Sequence, residues 1–207
     1  MKGLILKDIL NFKNQQGKTF LLLIVIYFII AMQMHNSSFF AGVWMIIGVS
    51  LPLASIAYDE KAKWDKYALT MPVTRKDIVG EKYLLAALCV VIGNTISLPI
   101  TAMIDKRLDM ESLLVYGVFI GIGLLFNAII LPFVFRFGSE NARTIMIIVI
   151  AIPFLVVYLF SKMKIDMIGI LEQNEKTVGI ITGVSAIVIY IVSYMISVFI
   201  MEHKEIA

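Results

Sequence analysis

Long apolar runs with almost no charge inside them alternate along the chain with short polar segments. A hydrocarbon core of roughly 30 Å takes about 20 apolar residues of helix to cross. The pattern therefore predicts six spans, at Thr19–Met34, Phe39–Tyr58, Tyr83–Ile104, Leu113–Phe135, Thr144–Phe160 and Val178–Met201. The first and fifth are short, and Pro153 removes a helical hydrogen bond from the fifth, so tilt, a break or flanking residues must make up the length. The expected fold class is all-α, one polytopic membrane domain over residues 1–207.

Ahead of the first span Met1, Ile5, Ile9 and Phe12 share a helical face that Leu6 and Leu10 widen, with Lys7, Asn11, Asn14 and Lys18 opposite. Over residues 1–18 this predicts an amphipathic helix in the membrane interface; the alternative is a frayed basic tail. Lysines followed by an apolar run also mimic a signal peptide. The run ends in Gln33-Met34-His35 without a small-x-small cleavage pattern, so an uncleaved first span is expected.

Composition agrees: 60% hydrophobic residues, 16% charged residues and a mean hydropathy of +0.91 in 207 residues lie well outside the range of soluble domains. Charge distribution adds orientation. Thirteen of the eighteen Lys and Arg residues fall on the side of the termini and of the 59–82 and 136–143 segments, and five on the other. The positive-inside rule then puts both termini in the cytoplasm of a cell (plasma) membrane protein, and an odd span number would scramble the asymmetry. The lone Cys89 permits no internal disulfide.

Several kinds of chemistry are excluded. Gly17-Lys18-Thr19 resembles the end of a P-loop, but Phe12 stands where the motif needs its first glycine, and no strand precedes it. The chain is not expected to bind a nucleotide itself, and no nucleic-acid partner is indicated. His35 and His203 fall at opposite faces of the predicted topology, so they cannot share a metal site or a catalytic dyad. No ionisable residue stands mid-span, which removes the usual signature of ion-coupled transport. Ser50, Ser55, Asn94, Thr95, Ser97, Asn127, Ser185 and Ser193 do lie at membrane depth, either as hydrogen-bonded glue between helices or, for Asn94, Ser97 and Asn127, as lining of a translocation path. Gly117-x-x-x-Gly121 and Gly179-x-x-x-Gly183 permit close helix approach.

The segment from Asp59 to Lys82 carries six of the eighteen basic residues. Trp64, Tyr67 and Ala68 fall at i, i+3 and i+4, so a short helix gathers an aromatic patch with Lys61, Asp65 and Lys66 around it. Pro72 disfavours helix at Met71 and ends the element. Thr74 and Asp77 stand at capping-box spacing for the next helix. Glu60 belongs to the acidic entry of this insert.

Trp64 to Val79, followed by Glu81-Lys82-Tyr83, resembles the cytoplasmic segment of type-2 ATP-binding-cassette (ABC) transporter permeases: an acidic entry after the second span, a Leu-Thr-Met run before Pro72, then Arg75 and a Lys-Tyr opening the third span. Span count, amphipathic start and length agree with small members of that family, including those that resemble phenol-soluble-modulin and antimicrobial-peptide exporters. The resemblance implies that the insert is a coupling helix seated in a separate ATPase subunit, with Glu60, Lys61, Trp64, Asp65, Tyr67 and Leu69 at the docking surface and Pro72 and Arg75 shaping the turn into the third span. It also implies ATP and Mg at that partner rather than on this chain, and a second permease copy, identical or not, meeting the first through spans one and five. The function implied is a permease subunit that exports a hydrophobic or amphipathic substrate, a peptide among them. The alternative is a non-transporting scaffold or sensor whose insert binds a cytoplasmic regulator.

Overall fold

The computed structural model describes residues 2–34, 38–68, 70–104, 110–141, 144, 147–149, 151, 155 and 175–204. Within them the chain is helical: α1 Lys2–Met34, α2 Ser38–Lys61, α3 Trp64–Ala68, α4 Arg75–Ile104, α5 Met110–Phe137 and α6 Glu175–His203. Five of these are long and apolar enough to cross a membrane, and each overlaps an expected span, the third beginning earlier than expected, at Arg75. The fifth expected span, Thr144–Phe160, with Pro153, lies largely outside the described residues.

One boundary differs from expectation. The interfacial segment over 1–18 and the span from Thr19 are a single unbroken helix of 33 residues, about 50 Å at 1.5 Å per residue. The stretch Lys13-Asn14-Gln15-Gln16-Gly17 contains no proline, and one glycine inside a helix costs only about 1 kcal/mol. The face that meets the bundle also differs. Leu4 and Asp8 are buried and Lys7 half-buried, while Leu6, Ile9 and Leu10 are exposed. Polar groups of the N-terminal turns face protein, and their apolar side faces out.

Side-chain contacts fix the helix directions. Lys7 meets Asp59 at one end of α1 and α2, and Phe28 packs edge-on to Phe40 near the other, so the two run antiparallel. Trp44 lies against Gly93, Gly48 against Val90 and Ser55 beside Lys82, so α2 and α4 are antiparallel. Thr101 and Tyr116 share a hydrogen bond where α4 ends and α5 begins. In contrast, α5 and α6 are parallel: Gly121 lies beside Thr182, Ala128 O accepts from Ser193, and Phe135 O accepts from Lys204. The start of α1 and the ends of α2, α5 and α6 thus meet the start of α4 at one end of the bundle, called here the charged end.

The tightest helix approaches among the described glycines fall at Gly48 and Gly93, outside the G-x-x-x-G pairs. A Cβ on Gly93 would come within 2.3 Å of the Trp44 ring, and one on Gly48 within 2.2 Å of Val90. At Gly117 and Gly183 a Cβ would meet open space, and Gly121 makes only an ordinary contact with Thr182. Opposing bulk, here Trp44 and Val90, decides which glycine is needed within this chain, a thing the spacing pattern alone does not show. The main apolar core lies toward the charged end and joins Val49 and Ile56 of α2, Ala68 of α3, Ile78, Val79 and Tyr83 of α4, Leu131, Val134 and Phe135 of α5, and Met201 of α6.

Candidate functional site

The segment from Asp59 to Lys82 is built in short, separately stabilised steps. α2 closes at Lys61, and Lys63 adopts the left-handed conformation (φ 51°) that ends a helix. Trp64–Ala68 then forms one turn of helix. Trp64 and Ala68, four residues apart, point inward: Ala68 is wholly buried, and the half-buried Trp64 ring packs on the core beneath the Lys7 ammonium, 4.6 Å from the ring centre. Tyr67 points the other way and is 63% exposed. The single aromatic patch expected from Trp64, Tyr67 and Ala68 is therefore split between two faces, because residues at i and i+4 align more closely than i and i+3 once the inner face is packed.

After α3 the chain turns through Thr70–Pro72. Thr74 caps α4: its amide donates to Asp77 Oδ2 at 3.0 Å and the Asp77 amide donates to Thr74 Oγ1 at 3.2 Å. This is the reciprocal capping box, and the Thr74 hydroxyl and amide hold the exposed Asp77 carboxyl below its ordinary pKa.

One helical face of α4 repeats Ile78, Lys82, Leu85, Ala86, Val90, Gly93, Ser97 and Thr101, and that register carries Lys82 into the protein. Its ammonium has three protons and finds three acceptors: Asp8 Oδ2 at 2.5 Å, Ser55 Oγ at 2.6 Å and Asp59 Oδ2 at 2.6 Å. Glu81 Oε2 stands 3.3 Å away. Lys7 bridges Asp59 Oδ1 at 2.5 Å and Asp8 Oδ1 at 3.1 Å. Lysine 82 thus joins α1, α2 and α4 at the point where the charged segment enters the bundle.

The next residue ties α4 to α5 and α6. Ser193 Oγ gives its proton to Ala128 O at 2.5 Å, so it accepts from the Tyr83 hydroxyl, which in turn accepts from Ser197 Oγ. Tyr190 OH donates to Tyr83 O at 2.7 Å. On the other side, the Glu60 carboxylate accepts from the amide of Ser139 at 2.9 Å and from its hydroxyl, pinning the turn that follows α5. Gly138 makes that turn with φ of 84°.

The expected docking residues are distributed accordingly. Lys61 and Pro72 are exposed beside Tyr67, and Arg75 reaches the carbonyls at the end of α6. Glu60 is spent on Ser139 and Trp64 on the core, so neither presents a free side chain. Leu69 lies outside the described residues, as does the side chain of Asp65. Asn94, Ser97 and Asn127 are all buried within this one chain, and each donates to a main-chain carbonyl: Asn94 to Val90, Ser97 to Gly93, and Asn127 to Gly48 and Gly123. Each of the three thus makes the hydrogen bonds within or between helices that the glue reading expects.

Asp8 was missed because it borders the expected apolar face, beside Met1 and Phe12, and reads there as an ordinary interfacial charge, and Lys82 because it counts as a loop charge. The available signal was the Ile78–Lys82–Ala86 register, which puts Lys82 on the apolar face of its helix.

The family of ABC-2 family transporter proteins matches residues 3–202, nearly the whole chain, and the chain belongs to it. It is thus a membrane permease subunit of an ABC transporter, not itself the nucleotide-binding component, and a subunit of this family works with a partner ATPase. Searches of curated proteins and of solved structures returned no match.

Proposed function

We propose that the charged end is the seat of the ATPase and that this permease couples hydrolysis of ATP·Mg there to export of a hydrophobic or amphipathic substrate, with an amphipathic peptide as the first candidate. The observation that carries this reading is α3. One face of the helix is fixed on the core through Trp64 and Ala68, while Tyr67 and the neighbouring Met71, 50% exposed, stand free. A lever needs both properties: a grip for the partner and a stiff connection to the spans. In this reading Lys61, Tyr67 and Pro72, with Asp65 and Leu69, form the outer docking surface, and Trp64 and Glu60 are its inner attachment.

The thirteen-to-five distribution of basic residues supports a cytoplasmic charged end, with both termini there. The parallel course of α5 and α6 supports a sixth crossing within residues 138–174, since the chain must return to the far end before α6 begins. α1 turns Leu21, Leu22, Val25 and Ile29 outward, which supports a lipid-facing surface or a second permease copy against this helix. Short segments at the far end leave little room for an extracellular domain, which suits a substrate that partitions into lipid and enters laterally.

The test is affinity purification of the tagged chain from its native membrane. An ABC ATPase should accompany the wild-type chain and be lost from Tyr67→Ala with Lys61→Glu. Recovery of a kinase or other regulator in place of an ATPase would instead support a sensor.

A further inference from the structure

Arg75, the first residue of α4, does something that a turn-shaping residue need not do. Its Nη1 lies 2.8 Å from Met201 O, 2.7 Å from Glu202 O and 2.9 Å from Lys204 O. The last carbonyls of a helix have no intrahelical donor, and a cation is favoured there by the helix dipole. The three contacts are to main chain, so they recognise the end of α6 as an end rather than any side chain on it. Lys76, next in sequence, pairs with Glu202 at 3.5 Å, and Lys204 Nζ donates to Phe135 O at 3.1 Å, where α5 ends. From the turn at 70–74 an unbroken series of polar contacts thus passes through Arg75 to α6 and through Lys204 to α5. Two turns deeper, the Tyr83 hydroxyl fastens α4 to Ser193 and Ser197 of α6 again.

We propose that Arg75 is a positioning residue that makes the end of α6, and through it the end of α5, move with the segment ahead of α4, so that displacement of α3 reaches these helix ends directly. This rests on the coupling role proposed for α3. Without the clamp, the end of α6 would be joined to α4 only two turns deeper, through Tyr83, and would lag behind the segment ahead of α4.

The test uses Lys76→Cys with Glu202→Cys in a Cys89→Ala background, a pair that is exposed and faces across the clamp. In membranes holding the permease alone, a short bis-methanethiosulfonate should cross-link this pair rapidly, and about tenfold more slowly with Arg75→Ala, the change that loss of a single charge-assisted hydrogen bond would bring. In the complex with its ATPase, Arg75→Ala should leave the ATPase bound and hydrolysing while substrate moved per ATP falls, and cross-linking the pair should restore that ratio. A purely structural contact would not give a ratio that a remote covalent tether repairs. Unchanged cross-linking and unchanged transport per ATP, or a loss that the tether fails to repair, would overturn the proposal. Should Arg75→Ala fail to insert, Arg75→Lys keeps the charge without the planar fork and is read by the same two outcomes. If the wild-type chain retains no ATPase, the coupling reading fails, and the cross-linking rates still decide whether Arg75 holds α6.

Discussion

The Lys82 ammonium meets the Asp59 carboxylate at 2.6 Å, and both belong to the inner wall of the charged end. In sequence they bracket the charged segment, so their pairing closes that segment into a loop whose base is an ion pair. Any force applied between them, on α3 or the turn after it, therefore acts on a base that also grips α1 through Asp8.

Removing the cation tests that base. Lys82→Ala leaves Ser55 without its donor and the Asp8 and Asp59 carboxylates with only the half-buried Lys7 as counter-charge, and should destabilise the protein by about 3–5 kcal/mol, as for other broken buried pairs. Lys82→Met combined with Asp8→Asn and Asp59→Asn should regain much of the loss, because neutral groups of similar volume need no counter-charge. Thermal unfolding in detergent checks both, and equal loss in the single and triple variants would show that packing, not charge pairing, dominates.

Helix contact at Gly93 is equally specific. Gly93→Ala must displace the Trp44 ring and should cost about 1–3 kcal/mol by overpacking. Gly117→Ala enters open space and should stay within about 0.5 kcal/mol. The same melting assay separates them, and a reversed order would mean that the G-x-x-x-G face is the packed one.

Gly138 offers a backbone test. At φ of 84° a side chain is strained, so Gly138→Ala should cost about 1–2 kcal/mol and loosen the Ser139 contact with Glu60. Protease susceptibility near residue 138 should rise. No change in either would place the turn in another conformation.

Tyr83→Phe deletes the hydroxyl that receives from Ser197 and donates to Ser193 while keeping the ring. The expected loss is about 1–3 kcal/mol, the cost of leaving buried partners unsatisfied. Ser197→Ala with Tyr83→Phe should add little beyond Tyr83→Phe alone, since both act on one chain of bonds. Additive losses would show two independent contacts.

Much of the fold was legible because lipid imposes a simple rule: spans must be long and apolar, and α2, α5 and α6 match the expected spans to within a few residues at each end, while α4 matches at its end and begins eight residues earlier, at its capping box. The capping box at Thr74 and the helix at Trp64 were also readable, since both rest on local spacing. What could not be read was which charges turn inward. Asp8, Asp59 and Lys82 are far apart in the chain, and each looks like an ordinary interfacial charge until folding brings the helix ends together. Glu60 shows the same limit: its use by Ser139 depends on where α5 stops. The continuity of α1 was hidden for another reason, since an amphipathic start followed by an apolar run reads equally well as two helices or one.

In the function proposed above, this permease moves substrate with energy received at the outer face of α3. Its most direct test is peptide flux in proteoliposomes that hold the chain together with the ATPase that co-purifies with it, using a fluorescent amphipathic helical peptide. Flux should require ATP·Mg and fall to background in Tyr67→Ala with Lys61→Glu, while that variant melts at the wild-type temperature. Peptide flux unaffected by ATP, or undiminished in that variant, would contradict it.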